Sequence, residues 1–260
     1  MIPLEGQDRA ALDRLLASSH SVDIRVQITD IVGRTIYDVS DRLIGGQVDV
    51  DVDGDVTRVA QLTLFDPTKQ IAFDSRDPSG AALYMDNMIL IEYGIRGEGQ
   101  KTFIHVPVFM GPVTRLMRDE DQIQITAYGK EHLAMGTLWW NFNANTGANK
   151  VNVIRRIMSE CAGETRFLLP EMPGERLGEP LSLIALEQTP WEAAQALAES
   201  MGRVLYYDGA GRLRMRMKTG NKVFTFEGGD NGTLMSVPTI TFNTDDAKRS
   251  EEHTSELQSH

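Results

Sequence analysis

The sequence contains one cysteine, Cys161, and no long run of apolar residues. A single cysteine excludes an intrachain disulfide and a metal site built from a cysteine cluster. No stretch approaches the roughly 20 consecutive apolar residues of a membrane-spanning helix, so no membrane-spanning segment is expected. Glu5, Asp8 and Asp13 stand where a signal peptide would carry Lys or Arg before an apolar segment. We therefore expect a protein of the cytoplasm, or of a particle assembled there.

Basic residues are scarce relative to acidic ones. The chain has 26 Lys and Arg against 37 Asp and Glu, which gives a formal net charge of -11. Binding to nucleic acid by phosphate neutralisation needs a basic surface. DNA is therefore not expected as a specific ligand.

The common catalytic motifs are missing as well. The sequence has no H-E-x-x-H, no G-x-S-x-G and no phosphate-binding G-x-x-x-x-G-K-[ST]. The histidines His20, His105 and His132 fall in unrelated predicted elements. We predict no catalytic residue, no cofactor and no metal, so the chain is not expected to be an enzyme.

The composition that remains is that of an ordinary globular protein, with 41% hydrophobic and 24% charged residues in 260 positions. This length accommodates one large domain or two of usual size. Leu12, Leu15 and Leu16 recur at helical spacing, which predicts an amphipathic helix over residues 5–18 within an N-terminal segment, residues 1–20. We expect this helix to cap a neighbouring element.

From Val22 onward the apolar period is two, which predicts antiparallel strands with one buried face. Residues 21–138 are therefore predicted to form a β-barrel or sandwich of many short strands. One hairpin ends at Asp66-Pro67. The predicted strands cover residues 22–28, 48–52, 58–64, 88–93, 102–110 and 122–127.

Near Asn149 the period becomes helical, so residues 139–148 are predicted as a linker and residues 149–235 as an α+β domain. One helix is expected to end at Gly163. A second helix begins at a T-x-x-E capping box formed by Thr189 and Glu192. A hairpin follows around residues 208–211. The predicted fold class is α+β and β-rich.

The last twelve residues, RSEEHTSELQSH, have no apolar periodicity. They resemble, residue for residue through Ser259, the translation of a common short-read sequencing adapter. Residues 249–260 are therefore interpreted as an assembly artefact, with a genuine polar tail as the alternative. On this interpretation the native protein continues past Lys248.

Three passages, taken in order, resemble the hub proteins at the tip of phage tails, a family that includes the baseplate hub of contractile-tailed phages and the N-terminal part of tail-tip proteins of long-tailed phages. The first is a hairpin ending in Asp-Pro, the second a strand, glycine, short link and strand, and the third a Pro-Trp helix feeding a hairpin. Their sequences are GGQVDVDVDGDVTRVAQLTLFDP, VPVFMGPVTRLMRDEDQIQITAYGKEHLA and TPWEAAQALAESMGRVLYYDGAGRLRMR.

The resemblance implies a homotrimer in which each chain supplies two related barrels, so that three chains present six similar units to the six-fold tail tube. Residues 236–248 resemble the start of a second, truncated barrel. The implied partners are the tail tube or distal tail protein and the tip or fibre proteins, with DNA passing the lumen unbound. The implied location is the tail tip or baseplate of a phage or prophage virion, assembled in the host cytoplasm.

Three groups of residues admit a functional interpretation beside a structural one. Asp49, Asp51, Asp53 and Gly54 match half of a calcium loop, but Ala60 stands where that loop needs a bidentate carboxylate, which favours a solvated strand face. The sequence RLRMRMK places basic residues on one strand face, as a solvent face or a subunit interface. Trp139 and Trp140 are predicted as a packing plug or a glycan platform. The basic residues are Arg212, Arg214, Arg216 and Lys218.

Two other functions stay open at this stage. One is a tail-associated cell-wall hydrolase whose catalytic domain lies downstream. The other is a carbohydrate-binding tip module that uses Trp139 and Trp140. The main hypothesis remains a ring-forming structural hub that joins the tail tube to the tip.

Overall fold

The computed structural model describes residues 20–51, 56–71, 83, 87–137, 140–184 and 187–217, and the statements below concern these residues. The predicted helix over residues 5–18 and the segments 236–248 and 249–260 lie outside this part of the chain. Among the described residues, no helix has the length and apolar character of a membrane span.

The first part of the chain forms one seven-stranded sheet whose neighbouring strands are all antiparallel. The order across the sheet is β2-β1-β5-β6-β7-β4-β3, so β2 and β3 are its two end strands. The strands are β1 His20–Thr29, β2 Thr35–Asp38, β3 Leu43–Val50, β4 Arg58–Phe65, β5 Met88–Gly97, β6 Ile104–Asp119 and β7 Gln122–Tyr128.

Strand β6 connects the two halves of the sheet. Its residues up to Pro112 pair with β5, and from Val113 onward they pair with β7, with a register shift between Val113 and Arg115. A bulge of this kind bends a strand and increases its twist. The inner faces of both halves therefore meet in one hydrophobic core, whose members include Val26, Ile28, Leu64, Ile89, Phe109, Ile123 and Ile125.

Asp66 ties the end of β4 into this sheet. Its carboxylate has no exposed surface. It accepts hydrogen bonds from Arg42 Nη1 at 2.6 Å and Arg118 Nη2 at 3.0 Å, and from the backbone N–H groups of Gln70 and Ile71. Burial raises the pKa of this carboxyl group, but the hydrogen bonds outweigh burial and hold the pKa below its ordinary value of 3.8. The Asp of the predicted Asp-Pro hairpin end is thus a buried anchor.

The second part of the chain packs two helices and five short strands around a second core. Helix α1 spans Lys150–Ala162 and helix α2 spans Pro190–Glu199. The second core includes Ile154, Ile157, Met158, Trp191, Ala194, Leu205 and Leu213. The strands are β8 Phe142–Ala144, β9 Phe167–Leu168, β10 Leu181–Leu183, β11 Arg203–Tyr207 and β12 Leu213–Met217, where β8 pairs with β10 and β12 lies between β11 and β9.

The helix ends follow their sequence signals. The Asn149 side chain accepts a hydrogen bond from the Asn152 N–H, and α1 ends at Gly163 with φ +65°. At Thr189 both hydrogen bonds of the predicted capping box are present. The β-rich α+β fold class is therefore confirmed. Strand β8 is an addition, because it lies inside the predicted linker and buries Phe142 and Ala144 in the second core.

Replacing Thr189 with Ala removes the side-chain acceptor for the Glu192 N–H. We expect Thr189→Ala to lower the free energy of unfolding by about 1 kcal/mol. Chemical denaturation measures this change, and Thr102→Ala, at an exposed loop position, serves as the control. Equal denaturation midpoints for Thr189→Ala and the parent chain would show that the cap contributes nothing.

Replacing Asp66 with Asn leaves Arg42 and Arg118 without their buried counter-charge. We expect Asp66→Asn to lower the free energy of unfolding by about 3 kcal/mol at neutral pH. Because the folded-state pKa of Asp66 lies below 3.8, its contribution is full above that pH and is lost as the pH falls through the lowered pKa. The deficit of the variant should therefore shrink in acid, whereas Asp121→Asn, at an exposed turn position, should show no such deficit. If Asp66→Asn lowered the free energy of unfolding equally at neutral and at acidic pH, the lowered pKa of Asp66 would be contradicted.

Candidate functional site

The turn between β11 and β12 is buried, although a hairpin turn is usually exposed. Asp208 is only 2% exposed. Its Oδ1 accepts hydrogen bonds from the backbone N–H groups of Ala210 and Arg212, each at 3.0 Å. Its Oδ2 lies 2.9 Å from Arg212 Nε and 3.3 Å from Arg214 Nη1. One carboxylate therefore organises the turn and pairs with two arginines.

This turn lies directly against strand β6. A Cβ atom built on Gly209 would lie 2.2 Å from the Pro107 carbonyl oxygen, so only glycine fits there. Gly211 has φ +69°, and a Cβ atom built on it would lie 2.7 Å from the Met110 sulfur. On the neighbouring side, Arg58 Nη1 of β4 donates a hydrogen bond of 2.6 Å to the Tyr207 carbonyl oxygen. The second core is thereby held against the sheet through backbone contacts.

A buried ion pair lies beside this turn. Lys130 Nζ, in the short 3₁₀ helix that follows β7, is 2.7 Å from Glu164 Oε2, and both side chains are 1% exposed. Lys130 also donates a hydrogen bond to the Gly211 carbonyl oxygen. Glu164 Oε1 accepts hydrogen bonds from the backbone N–H groups of Thr165 and Arg166. Burial lowers the pKa of Lys130, and the Glu164 carboxylate offsets part of that effect.

Tyr207 completes the buried cluster. Its ring stacks on Trp191 with centroids 5.8 Å apart. Burial, followed by the nearby carboxylates of Glu164 and Glu131, raises the pKa of the Tyr207 hydroxyl well above its ordinary value. Glu131 is itself buried and accepts a 2.6 Å hydrogen bond from the Thr57 N–H. We call Lys130, Glu131, Glu164, Tyr207 and Asp208 the junction cluster.

The junction cluster has the residue types that active sites use, but its side chains are not accessible to solvent. All five side chains are nearly inaccessible to solvent, so a substrate has no access to them. Across the described part of the chain, no group of three or more His, Cys, Asp and Glu residues is placed to hold a metal ion. The arrangement therefore fixes the two cores to each other.

The residues of the predicted basic face have different surroundings in the structure. Arg212 and Arg214 pair with Asp208 inside the chain, whereas Arg216 is exposed and lies over the Tyr206 ring at 5.5 Å. Lys218 lies outside the described residues. The alternation itself is as predicted, because Leu213 and Met215 are buried on the opposite face. The role of this face as a subunit interface stays a prediction.

The tryptophan pair and the acidic motif that the sequence analysis named are not part of the junction cluster. Trp140 is 49% exposed, and Trp139 lies outside the described residues. Asp49 is part of β3, where it pairs with Val59 and receives a hydrogen bond from Gln47. Asp51 follows that strand, while Asp53 and Gly54 lie outside the described residues. Of the described residues of the acidic motif, Asp49 thus lies in a strand and Asp51 directly follows it.

The surface features that suit assembly are at the ends of the sheet. Strand β3 contributes eight residues and, among the described strands, pairs on one side only, with β4. It carries exposed apolar side chains at Ile44 and Val50. An end strand of this kind offers free backbone N–H and C=O groups to another chain. We call β3 the free edge, and it is the candidate assembly surface.

Sequence reasoning did not find the junction cluster or the burial of the Asp208 turn. The signals in the sequence were the paired glycines, Gly209 and Gly211, and the charged residues Lys130, Glu131 and Glu164. None of these identifies a partner, because Lys130 and Glu164 are distant in the chain. Such contacts become visible only when the fold is known.

No family model matches the chain, and no curated protein matches it. Among solved structures, it is similar to the 43 kDa tail protein of prophage MuSo2 from Shewanella oneidensis, with 17% identity and a TM-score of 0.45 over 79% of this chain and 58% of that one. It is also similar to a tail protein from Neisseria meningitidis MC58, with 13% identity and a TM-score of 0.45 over 75% of this chain and 51% of that one.

A third similar structure is the half-lidded PdpA-VgrG complex of Francisella, with 9% identity and a TM-score of 0.46 over 81% of this chain and 34% of that one. The chain thus spans between about a third and about three fifths of the length of these three chains. The first two of these structures are tail proteins.

Substituting Gly209 tests the contact between the turn and the sheet. A methyl group at this position overlaps the Pro107 carbonyl oxygen, so we expect Gly209→Ala to lower the free energy of unfolding by about 1–3 kcal/mol. Gly178→Ala is the matched control, because a Cβ atom there meets nothing within 4 Å. Chemical denaturation gives the free energy of unfolding of both variants. Equal values would show that Gly209 is not in tight contact with β6.

Proposed function

We propose that this chain is a structural component of a phage tail, a ring-forming hub that joins the tail tube to the tip. The observation that carries the proposal is the ordered set of three passages that resemble hub proteins. The folded chain supports it, because each passage supplies a part that a rigid ring subunit needs. The first passage contains most of the free edge and the Asp66 anchor, the second contains most of β6, and the third contains the turn that locks the second core to the sheet.

Rigidity is the property that the junction cluster contributes. A ring that guides a tube must keep a fixed angle between its parts, and a buried ion pair is costly to separate because each charge would lose its partner. The Lys130–Glu164 pair and the Gly209 contact act at the same place. Together they make the sheet and the helices one unit.

Association of subunits is assigned to the free edge, β3. Strand edges that natural monomers leave exposed are commonly protected by lysine or proline, which discourage pairing with another chain. Strand β3, with the sequence LIGGQVDV, has neither residue. We propose that it pairs with another subunit in the assembled ring.

The proposed ring is a homotrimer, and its partners are the tail tube or distal tail protein on one side and tip or fibre proteins on the other. DNA passes through the lumen without specific binding. The net charge of -11 supports this part of the proposal, because an acidic wall repels phosphate groups and prevents adhesion.

The test is light scattering at micromolar concentration, which measures the mass of the assembly in solution. The protein used is translated from the gene's uninterrupted reading frame. We expect a trimer for the parent. Val50→Lys adds a charge at the free edge and should reduce the trimer fraction several-fold. Met217→Lys changes an equally exposed apolar residue, 61% against 58%, away from that edge and should leave the mass unchanged.

Two results would contradict the proposal. One is a monomer that stays monomeric when the tail-tube protein is added. The other is a trimer that Val50→Lys and Met217→Lys affect equally, which would remove β3 from the interface.

A further inference from the structure

Lys130 and Glu164 face each other in a part of the junction cluster that water does not reach. The Lys130 Nζ atom lies 2.7 Å from Glu164 Oε2, and each side chain is 1% exposed. By contrast, the side chains of the pair formed by Lys150 and Glu175 are 17% and 38% exposed, and their charged atoms are 3.6 Å apart. An amine and a carboxylate held together without water are the two reactants of an amide bond.

The two oxygens of the Glu164 carboxylate have different surroundings. Oε1 accepts hydrogen bonds from the backbone N–H groups of Thr165 at 2.8 Å and Arg166 at 2.7 Å. Oε2 is buried beside Lys130 Nζ but accepts no hydrogen bond of good geometry, which is rare for a buried polar atom. Two N–H groups on one oxygen stabilise the negative charge that develops there when a nucleophile attacks the carbon. Oε1 is therefore placed to hold that charge, and Oε2 is placed to leave.

The surroundings of Lys130 favour its neutral, nucleophilic form. Burial lowers the pKa of the Lys130 amine, and the Glu164 carboxylate offsets part of this effect. The centre of the Tyr207 ring lies 5.6 Å from Nζ, and this ring stacks on Trp191. The aromatic wall excludes the water that would otherwise solvate the two ions. An uncharged amine is the form of lysine that attacks a carboxyl carbon.

We propose that Lys130 and Glu164 condense to form an amide bond between Nζ and the side-chain carboxyl carbon, Cδ. Nζ attacks Cδ, and the bond between Cδ and Oε2 breaks. Two of the three protons of the ammonium group leave with Oε2 as one molecule of water, and the third stays on the amide nitrogen. The reaction needs no oxidant, reductant or activating group. It joins the segment after β7 to the segment after α1 by a covalent bond.

The product fits the site better than the ion pair does. Each buried charge costs desolvation free energy, whereas an amide carries no charge. Oε1 becomes the amide oxygen and keeps its two N–H donors. The Gly211 carbonyl oxygen, 3.2 Å from Nζ, accepts the N–H that the amide retains. The inference rests on the junction cluster alone and is independent of ring formation.

The test is the intact mass of the full chain, measured under denaturing conditions after the folded protein has been incubated. We expect a mass below the calculated value by one molecule of water. Lys130→Arg keeps a cation at this position but has no primary amine. This variant should therefore retain its full calculated mass.

Peptide mapping of the incubated parent locates the bond. We expect a branched peptide in which Lys130 is joined to Glu164, with no tryptic cleavage after Lys130 because its amine is blocked. Lys150 and Glu175 serve as the control within the same chain, because this more exposed pair should stay unlinked. The mapping uses the parent only, so it decides the matter even if Lys130→Arg does not fold.

Three results would overturn the proposal. The first is the full calculated mass in the incubated parent. The second is a loss of water that persists in Lys130→Arg without a branched peptide, as dehydration of Asp208 next to Gly209 would produce. The third is a link between Lys150 and Glu175, which would show that the reaction does not select the buried pair.

Discussion

The ion pair between Lys130 and Glu164 is the interaction on which the arrangement of the two cores depends. A charge buried without its partner is strongly unfavourable, so the 3₁₀ helix after β7 and the segment after α1 must reach their positions together. The same lysine holds the Gly211 carbonyl oxygen and so ties the Asp208 turn into the contact. Folding of the sheet and folding of the helical part are thereby linked at one buried point.

Patterns that act over a few residues made much of the fold predictable. A period of two marks β1, β4 and β7 because each strand buries alternate side chains. Thr189 and Glu192 mark the start of α2 because a capping box is complete within four residues. Strand β8 was missed because its three residues carry too little periodicity and are held by pairing with β10, far along the chain.

The junction cluster was not predictable for a related reason. Arg58 and the Tyr207 carbonyl oxygen, like Gly209 and Pro107, meet across long separations in the sequence. The basic alternation at Arg212 and Arg214 was visible, but its electrostatic partner was not, because Asp208 is also a natural turn residue. The sequence pattern therefore located charged side chains correctly and left open whether they face another subunit or their own chain.

The length of β6 has a mechanical consequence. Its 16 residues extend over as much as about 54 Å, and they are hydrogen-bonded first to β5 and then to β7. A pull along this strand loads the hydrogen bonds of each half in parallel, as shear, so that they resist together and do not open one after another. Tension that enters one half of the sheet passes into the other half through the continuous covalent backbone of β6. This strand therefore carries mechanical load between the two halves.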